Sequence, residues 1–75
     1  MKANNAKYWA GDPPEKCDVC YRPIDKVFVD GATRPNGAWG FMCSACFVFC
    51  GVGLGTGRGQ RYEKQPDGKW LKVGG

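Results

Sequence analysis

Apolar residues in this chain fall in short bursts separated by glycine, proline and asparagine, a pattern that predicts brief strands and at most one short helix. Residues 1–16 are polar and broken by Asn4, Asn5 and the run Gly11-Asp12-Pro13-Pro14, so they read as an N-terminal arm. Tyr8-Trp9 is the exception, an aromatic pair that either anchors the arm on the domain or faces a partner. Lys26-Val27-Phe28-Val29-Asp30 is β-branched and aromatic and predicts a strand. Trp39-Gly40-Phe41-Met42 is its return partner, with Trp39 and Phe41 on one face. Two turn signals, Asp30-Gly31 and Asn36-Gly37, flank Arg34-Pro35, and either can close this hairpin.

Cys43 to Cys50 predicts a helix of about two turns, ended by Gly51 in a left-handed conformation. So short a helix does not persist without packing. Residues 51–60 alternate glycine with Val52, Leu54, Thr56, Arg58 and Gln60, which in an extended chain leaves one face bare. The expectation is an irregular crossing segment laid over Trp39 or Trp70, since the run fits neither phosphate-binding glycine motif. In residues 61–75 the clearest hairpin turns at Pro66-Asp67-Gly68. With Gln65 facing Lys69, Lys64 opposes Trp70 and Tyr62 opposes Lys72 on one face, while Arg61, Glu63, Leu71 and Val73 share the other.

Chemistry enters with the cysteines. Cys17-Asp18-Val19-Cys20 and Cys43-Ser44-Ala45-Cys46 are two metal-ligand pairs, each spaced so that both thiolates reach one ion from a tight turn. Together they complete the tetrahedral sulfur shell that zinc favours, which predicts one structural Zn2+ held by Cys17, Cys20, Cys43 and Cys46. The interval from Cys20 to Cys43 is slightly longer than in most zinc ribbons, at little cost, because loop-closure entropy grows logarithmically. An odd cysteine count and the lack of an apolar leader in residues 1–16 argue against a disulfide framework. Cys50, one turn beyond Cys46, is a buried free thiol or a competing ligand.

Size gives the metal its importance. A chain of 75 residues has a typical net stability of roughly 4 to 11 kcal/mol, against about 10 to 16 kcal/mol for structural zinc binding in small peptides. Histidine is absent and the only serine is Ser44, which removes serine–histidine triads and histidine-ligated catalytic zinc. Four sulfur ligands leave no position for an activated water. The carboxylates Asp12, Glu15, Asp18, Asp25, Asp30, Glu63 and Asp67 form no acid–base motif. The expectation is a protein without catalytic residues, small-molecule substrate or membrane association.

Net charge is +4, and four bound thiolates with one divalent ion reduce it to about +2. Arg58, Arg61, Lys64, Lys69 and Lys72 put the positive excess in residues 51–75. Tyr62 and Trp70 interleaved with Lys64 and Lys72 would form a small basic aromatic platform of the kind that stacks bases and tracks phosphates. The same residues can instead be a cross-strand pair that stabilises the hairpin, with lysines keeping its edge soluble.

In residues 17–50 the order of knuckle, β-hairpin and short helix bearing the second pair resembles the treble-clef zinc fingers; with both pairs on hairpins it would be a zinc ribbon. Cys17 to Val73, with Phe28-Val29-Asp30-Gly31, the second cysteine pair and the run from Gly51 to Tyr62, resembles small four-cysteine proteins of tailed phages and prophages. That resemblance implies a phage protein in the bacterial host's cytoplasm, incorporated or not in the virion. The expected fold is a small metal-stabilised α+β domain with a glycine-rich segment and a C-terminal hairpin. Its expected role is contact with nucleic acid through Arg58, Arg61, Tyr62, Lys64, Trp70 and Lys72, or with a virion subunit or host protein through that surface and the arm.

Overall fold

The computed structural model describes residues 7–75. The Asn4-Asn5 break expected in the arm lies outside the described residues. The chain forms β1 (Val27–Ala32), β2 (Trp39–Met42), α1 (Ser44–Cys50), β3 (Gly59–Lys64) and β4 (Trp70–Gly74). All four strands join one antiparallel sheet in the order β2-β1-β3-β4. The two expected hairpins are therefore halves of a single sheet, fused where β1 pairs with β3 from Val27 opposite Glu63 to Gly31 opposite Gly59.

That fusion lengthens β1 past Asp30. Gly31 pairs with Gly40 on one side and Gly59 on the other, and a methyl group on it would sit 2.6 Å from the Arg58 carbonyl oxygen. The same carbonyl accepts the Ala32 N–H at 2.8 Å. Only glycine lets the backbones approach this closely, so Asp30-Gly31 lies inside the strand. Asn36-Gly37 closes the hairpin, with the Gly37 N–H on the Thr33 carbonyl at 2.7 Å and Gly37 in the left-handed region at φ 77°.

The core forms on both faces of the sheet. On one face Phe28 stacks on Tyr62, with ring centroids 5.1 Å apart, and meets Phe41 and Trp70 at 5.8 and 5.1 Å. Trp9 closes this cluster, edge-on to Phe28, Phe41 and Tyr62 at 5.3 to 5.5 Å. The arm reaches it by running along the β4 edge: the Trp9 N–H donates to the Trp70 carbonyl, and the Lys72 N–H to the Lys7 carbonyl. Trp9 thus anchors the arm, while Tyr8 stays exposed. On the other face, Val29 and Met42 are fully buried, and α1 packs against β1 and β2.

Three expectations change. Gly51 does not end α1 in the left-handed region; it is extended (φ −71°, ψ 155°), and its N–H bonds the Phe47 carbonyl. A Cβ there would collide with the Phe47 ring, so the position is glycine for space. Residues 51–58 are not an extended strand, and only Gly59 and Gln60 of the glycine-rich segment are extended, as the start of β3. Gly53, Gly55 and Gly57 have positive φ and coil the chain into a turn closed by the Arg58 and Gly59 N–H groups on the Gly55 carbonyl. The last hairpin keeps the expected pairs Lys64 with Trp70 and Tyr62 with Lys72, but a bulge at Arg61/Tyr62 puts Gly74, not Val73, opposite Arg61. A Cβ at Gly74 would crowd only the end of the Leu54 side chain, at 2.8 Å.

Candidate metal centre

The sulfurs of Cys17, Cys20, Cys43 and Cys46 all lie within 4.8 Å of one another. Zinc–sulfur bonds of about 2.3 Å in a tetrahedron require sulfur pairs about 3.8 Å apart. The Cys20 and Cys43 sulfurs are 3.8 Å apart, a tetrahedral edge and far too long for a disulfide. The cluster can hold one metal ion, and its all-sulfur donor set suits zinc or iron.

The first pair is presented by a turn. The Cys17 N–H donates to the Arg22 carbonyl and the Tyr21 N–H to the Cys17 carbonyl, both at 2.9 Å, so the chain folds back over the sulfurs. The Val19 and Cys20 N–H groups then point at the Cys17 sulfur, at 3.4 and 3.5 Å. To complete the turn Tyr21 enters the left-handed region at φ 63°, a strain of about 1 kcal/mol for a residue with a side chain. The second pair is presented by α1. Cys43 is its N-cap and Cys46 lies in its first turn, so spacing by three puts both sulfurs on one side.

Electrostatics suits a thiolate cluster. Burial by itself raises the Cys17 thiol, but hydrogen bonds from the backbone of Cys20, Cys43 and Val19 and from the Cys46 side chain outweigh it and bring the group down to about 6. Cys46 moves the other way, held protonated by burial and then by its contacts with Cys43, Cys17 and Cys20. The sulfurs titrate as a coupled group, and a bound cation would displace the protons they share. Cys50 lies outside the cluster as a half-buried free thiol. Its carbonyl accepts the Arg34 N–H at 2.7 Å.

Asp18, a residue that the spacing gave no reason to single out, links the two pairs. Its N–H donates to the Phe41 carbonyl at 2.7 Å, and its carboxylate accepts the Phe41 N–H at 2.8 Å. Phe41 stands two residues before Cys43, so these bonds fasten the first knuckle to the strand that delivers the second pair. A carboxylate between the two cysteines of the first pair was the available sign.

Of the basic and aromatic residues expected to make contacts, Tyr62, Lys64, Trp70 and Lys72 do share a face. The flat apolar surface is not formed. Trp70 is 7 % exposed, and Tyr62 is half-buried between Phe28 and Trp9. These rings complete the core, which corrects the expectation of a stacking platform. Lys64 is exposed and Lys72 half-buried. Arg61 falls on the opposite face, its Nε 3.9 Å from a Glu63 carboxylate oxygen, and Arg58 is exposed in the turn before β3.

Exposed apolar side chains stand elsewhere. Phe49 is 81 % and Val48 76 % exposed, both on α1, and Tyr21 and Trp39 are also largely exposed. No residue of α1 is buried, and no acidic or basic residue supports its ends. Its inner side carries Cys46, Phe47 and Cys50; its outer side carries Ser44, Ala45, Val48 and Phe49. Among the described residues no helix is long and apolar enough to cross a membrane.

Comparison of the chain with protein-family models, with curated proteins and with solved structures finds no match.

Proposed function

We infer that this protein is a non-enzymatic module, held by one structural Zn2+ in a treble-clef-like arrangement, that works by binding another protein. The outer side of α1 carries this reading. A surface helix ordinarily turns polar residues to water, whereas α1 presents Val48 and Phe49, its bulkiest outer residues. Apolar surface gathered this way is characteristic of protein-contact sites. The ion supports the helix from behind, through Cys43 and Cys46, so zinc serves to display that side. The likeness to phage four-cysteine proteins makes a virion subunit or a host protein the natural partner. A photo-crosslinking residue at Ser44 tests this in infected or expressing cells. Adducts identified by mass spectrometry and lost in Phe49→Glu support the reading; equal adducts in both chains, or none, sink it.

Nucleic-acid contact is the second reading. It is favoured by Arg58 and Lys64, which are exposed, whereas the ion pair found among the described residues joins Arg61 to Glu63. Without exposed rings this surface would act through phosphates only, with weak binding and a strong salt dependence. Replacing Arg58, Lys64 and Lys72 together by alanine should then lower affinity and flatten the salt slope. An unchanged slope, or no binding at low salt, removes this reading.

A further inference from the structure

On the nucleic-acid reading, on which this inference rests, we propose that a single strand is held along the outer edge of the sheet, where the arm lies on β4, with Tyr8 stacking on a base and Lys7, Lys69 and Lys72 meeting phosphates. The ring that the Arg58 and Lys64 surface lacks stands on the arm. Tyr8 bridges Leu71 as part of a short extra strand on β4, and side chains alternate along a strand. Sending Trp9 into the aromatic cluster therefore turns Tyr8 to the other face, where it is 47 % exposed. The Lys69 Nζ lies 5.7 Å from the centre of the Tyr8 ring. A base on that ring would have its own phosphate within reach of a cation, the pairing by which single strands are held.

Charge selects the occupant. The Lys72 N–H donates to the Lys7 carbonyl, and the bridge between Tyr8 and Leu71 sets Lys7 directly across from Lys72. Like charges so placed destabilise a strand pair, and lysines that only keep an edge soluble have no need to face each other. Neither Lys7–Ala10 nor Trp70–Gly74 holds a carboxylate to separate them. Glu63, across Leu71 on the Tyr8 side, is paired with Arg61, and the Asp67 carboxylate accepts the Lys69 backbone N–H. An anion between Lys7 and Lys72 removes the repulsion. A nucleobase also offers Tyr8 a flat face, which an acidic peptide does not. In a duplex those faces are closed by neighbouring bases, so the strand is single. Three lysines set the strength: at about 0.7 per phosphate, the logarithm of affinity falls with that of salt with a slope of about −2.

Fluorescence anisotropy of a dye-labelled oligothymidylate of about 12 nucleotides, titrated with the zinc-loaded full chain from about 50 to 200 mM salt, tests this. Tyr8→Ala should lower affinity at least fivefold, and Tyr8→Phe should stay within about twofold of the wild type. Tyr8→Leu keeps an apolar side chain opposite Leu71 but has no ring. It should lose as much as alanine, which separates stacking from seating of the arm. Lys7→Ala and Lys69→Ala should each take about 0.7 off the salt slope. Zinc content and far-ultraviolet circular dichroism show that each variant is folded, and the lysine variants decide if a Tyr8 variant is not. The site is overturned if Tyr8→Leu binds as well as the wild type, if a duplex of the same length binds as tightly as the single strand, or if an oligoglutamate of equal charge competes as well as unlabelled oligonucleotide. Binding that depends on Arg58 and Lys64 but not on Lys7, Tyr8 or Lys69 also overturns it, and leaves the nucleic-acid reading standing. No binding at low salt removes both.

Discussion

The two halves of this small domain are held by different physics. Around the sheet, Trp9, Phe28, Phe41, Tyr62 and Trp70 form a cluster of edge-on and stacked rings in which Phe28 is fully buried. That is ordinary core formation, worth about 1.5 to 3 kcal/mol for each large side chain removed from water. Around the cysteines, α1 buries no residue at all and lacks charges that would favour its ends. Its Cys46 and its N-cap Cys43 belong instead to a set of sulfurs that can share one cation. The contrast teaches where a small chain can place exposed apolar surface. An element that a metal ion would fix does not need its own apolar side chains for the core, which would leave Val48 and Phe49 free to face outward.

Metal removal gives the largest expected effect and tests whether the halves are separable. Asp18 and Phe41 bind the knuckle to β2, and the Phe41 ring belongs to the aromatic cluster. Loss of about 10 to 16 kcal/mol of zinc binding from a domain of this size should unfold both halves together. Near-ultraviolet circular dichroism during chelation should fall in step with the helical signal. Surviving aromatic signal would mean that the sheet stands alone and the comparison is sharper than drawn. The next effect comes from the other half. Phe28→Ala removes the ring that touches four others and should cost about 3 to 5 kcal/mol in denaturant unfolding of the zinc-loaded protein. A cost below about 1 kcal/mol would mean that the metal already supplies most of the stability of the sheet.

The half around the cysteines was the more legible one in the sequence. Two pairs with two residues inside each can hardly serve anything but a shared ion, and the helix bearing the second pair begins with Cys43 as its cap. The C-terminal hairpin was equally readable, because Pro66-Asp67-Gly68 dictates its turn and the turn dictates the register of Tyr62 and Trp70. The β1–β3 pairing was not visible. It joins segments far apart in sequence, and of the glycines that permit it Gly31 reads locally as a turn residue and Gly59 as part of a crossing segment. Missing that pairing made Tyr62 and Trp70 look available to a ligand, since a lone hairpin has no third strand to bring Phe28 onto them. The outward side of α1 was likewise hidden, because Phe47-Val48-Phe49 looks like core until the sulfurs fix which way the helix turns.

Asp18 sits on the seam between the halves, and its replacement should have an intermediate effect. Asp18→Ala leaves the Phe41 N–H without its acceptor but keeps the backbone bond from residue 18 to the Phe41 carbonyl, so it loosens the first knuckle on β2 without freeing it. A hydrogen bond to an exposed carboxylate is worth about 1 to 1.5 kcal/mol, so zinc affinity, measured by competition with a chromophoric chelator, should fall about tenfold. Asp18→Asn keeps an acceptor oxygen and should recover most of the loss. If alanine and asparagine behave alike, the carboxylate is not what aligns the two pairs, and the halves are joined through the Asp18–Phe41 backbone bond and Phe41 packing.

The smallest expected effect lies wholly on the aromatic side and is read at high pH. Burial pushes the Tyr62 phenol above its ordinary value, and the nearby Asp30 carboxylate acts in the same direction. Because the folded value exceeds the unfolded one near 10, the proton on Tyr62 contributes stability in full below about pH 10. That contribution is lost as pH rises through the folded value, where the ring must carry a charge against Phe28 and Trp9. Tyr62→Phe has no proton to lose. Its melting temperature should fall less than that of the wild type as pH rises above about 10, while the two proteins respond alike from about pH 6 to 8. Parallel curves across the alkaline range would mean that the phenol stays in contact with water and that Trp9 closes the cluster less tightly than its edge-on geometry implies.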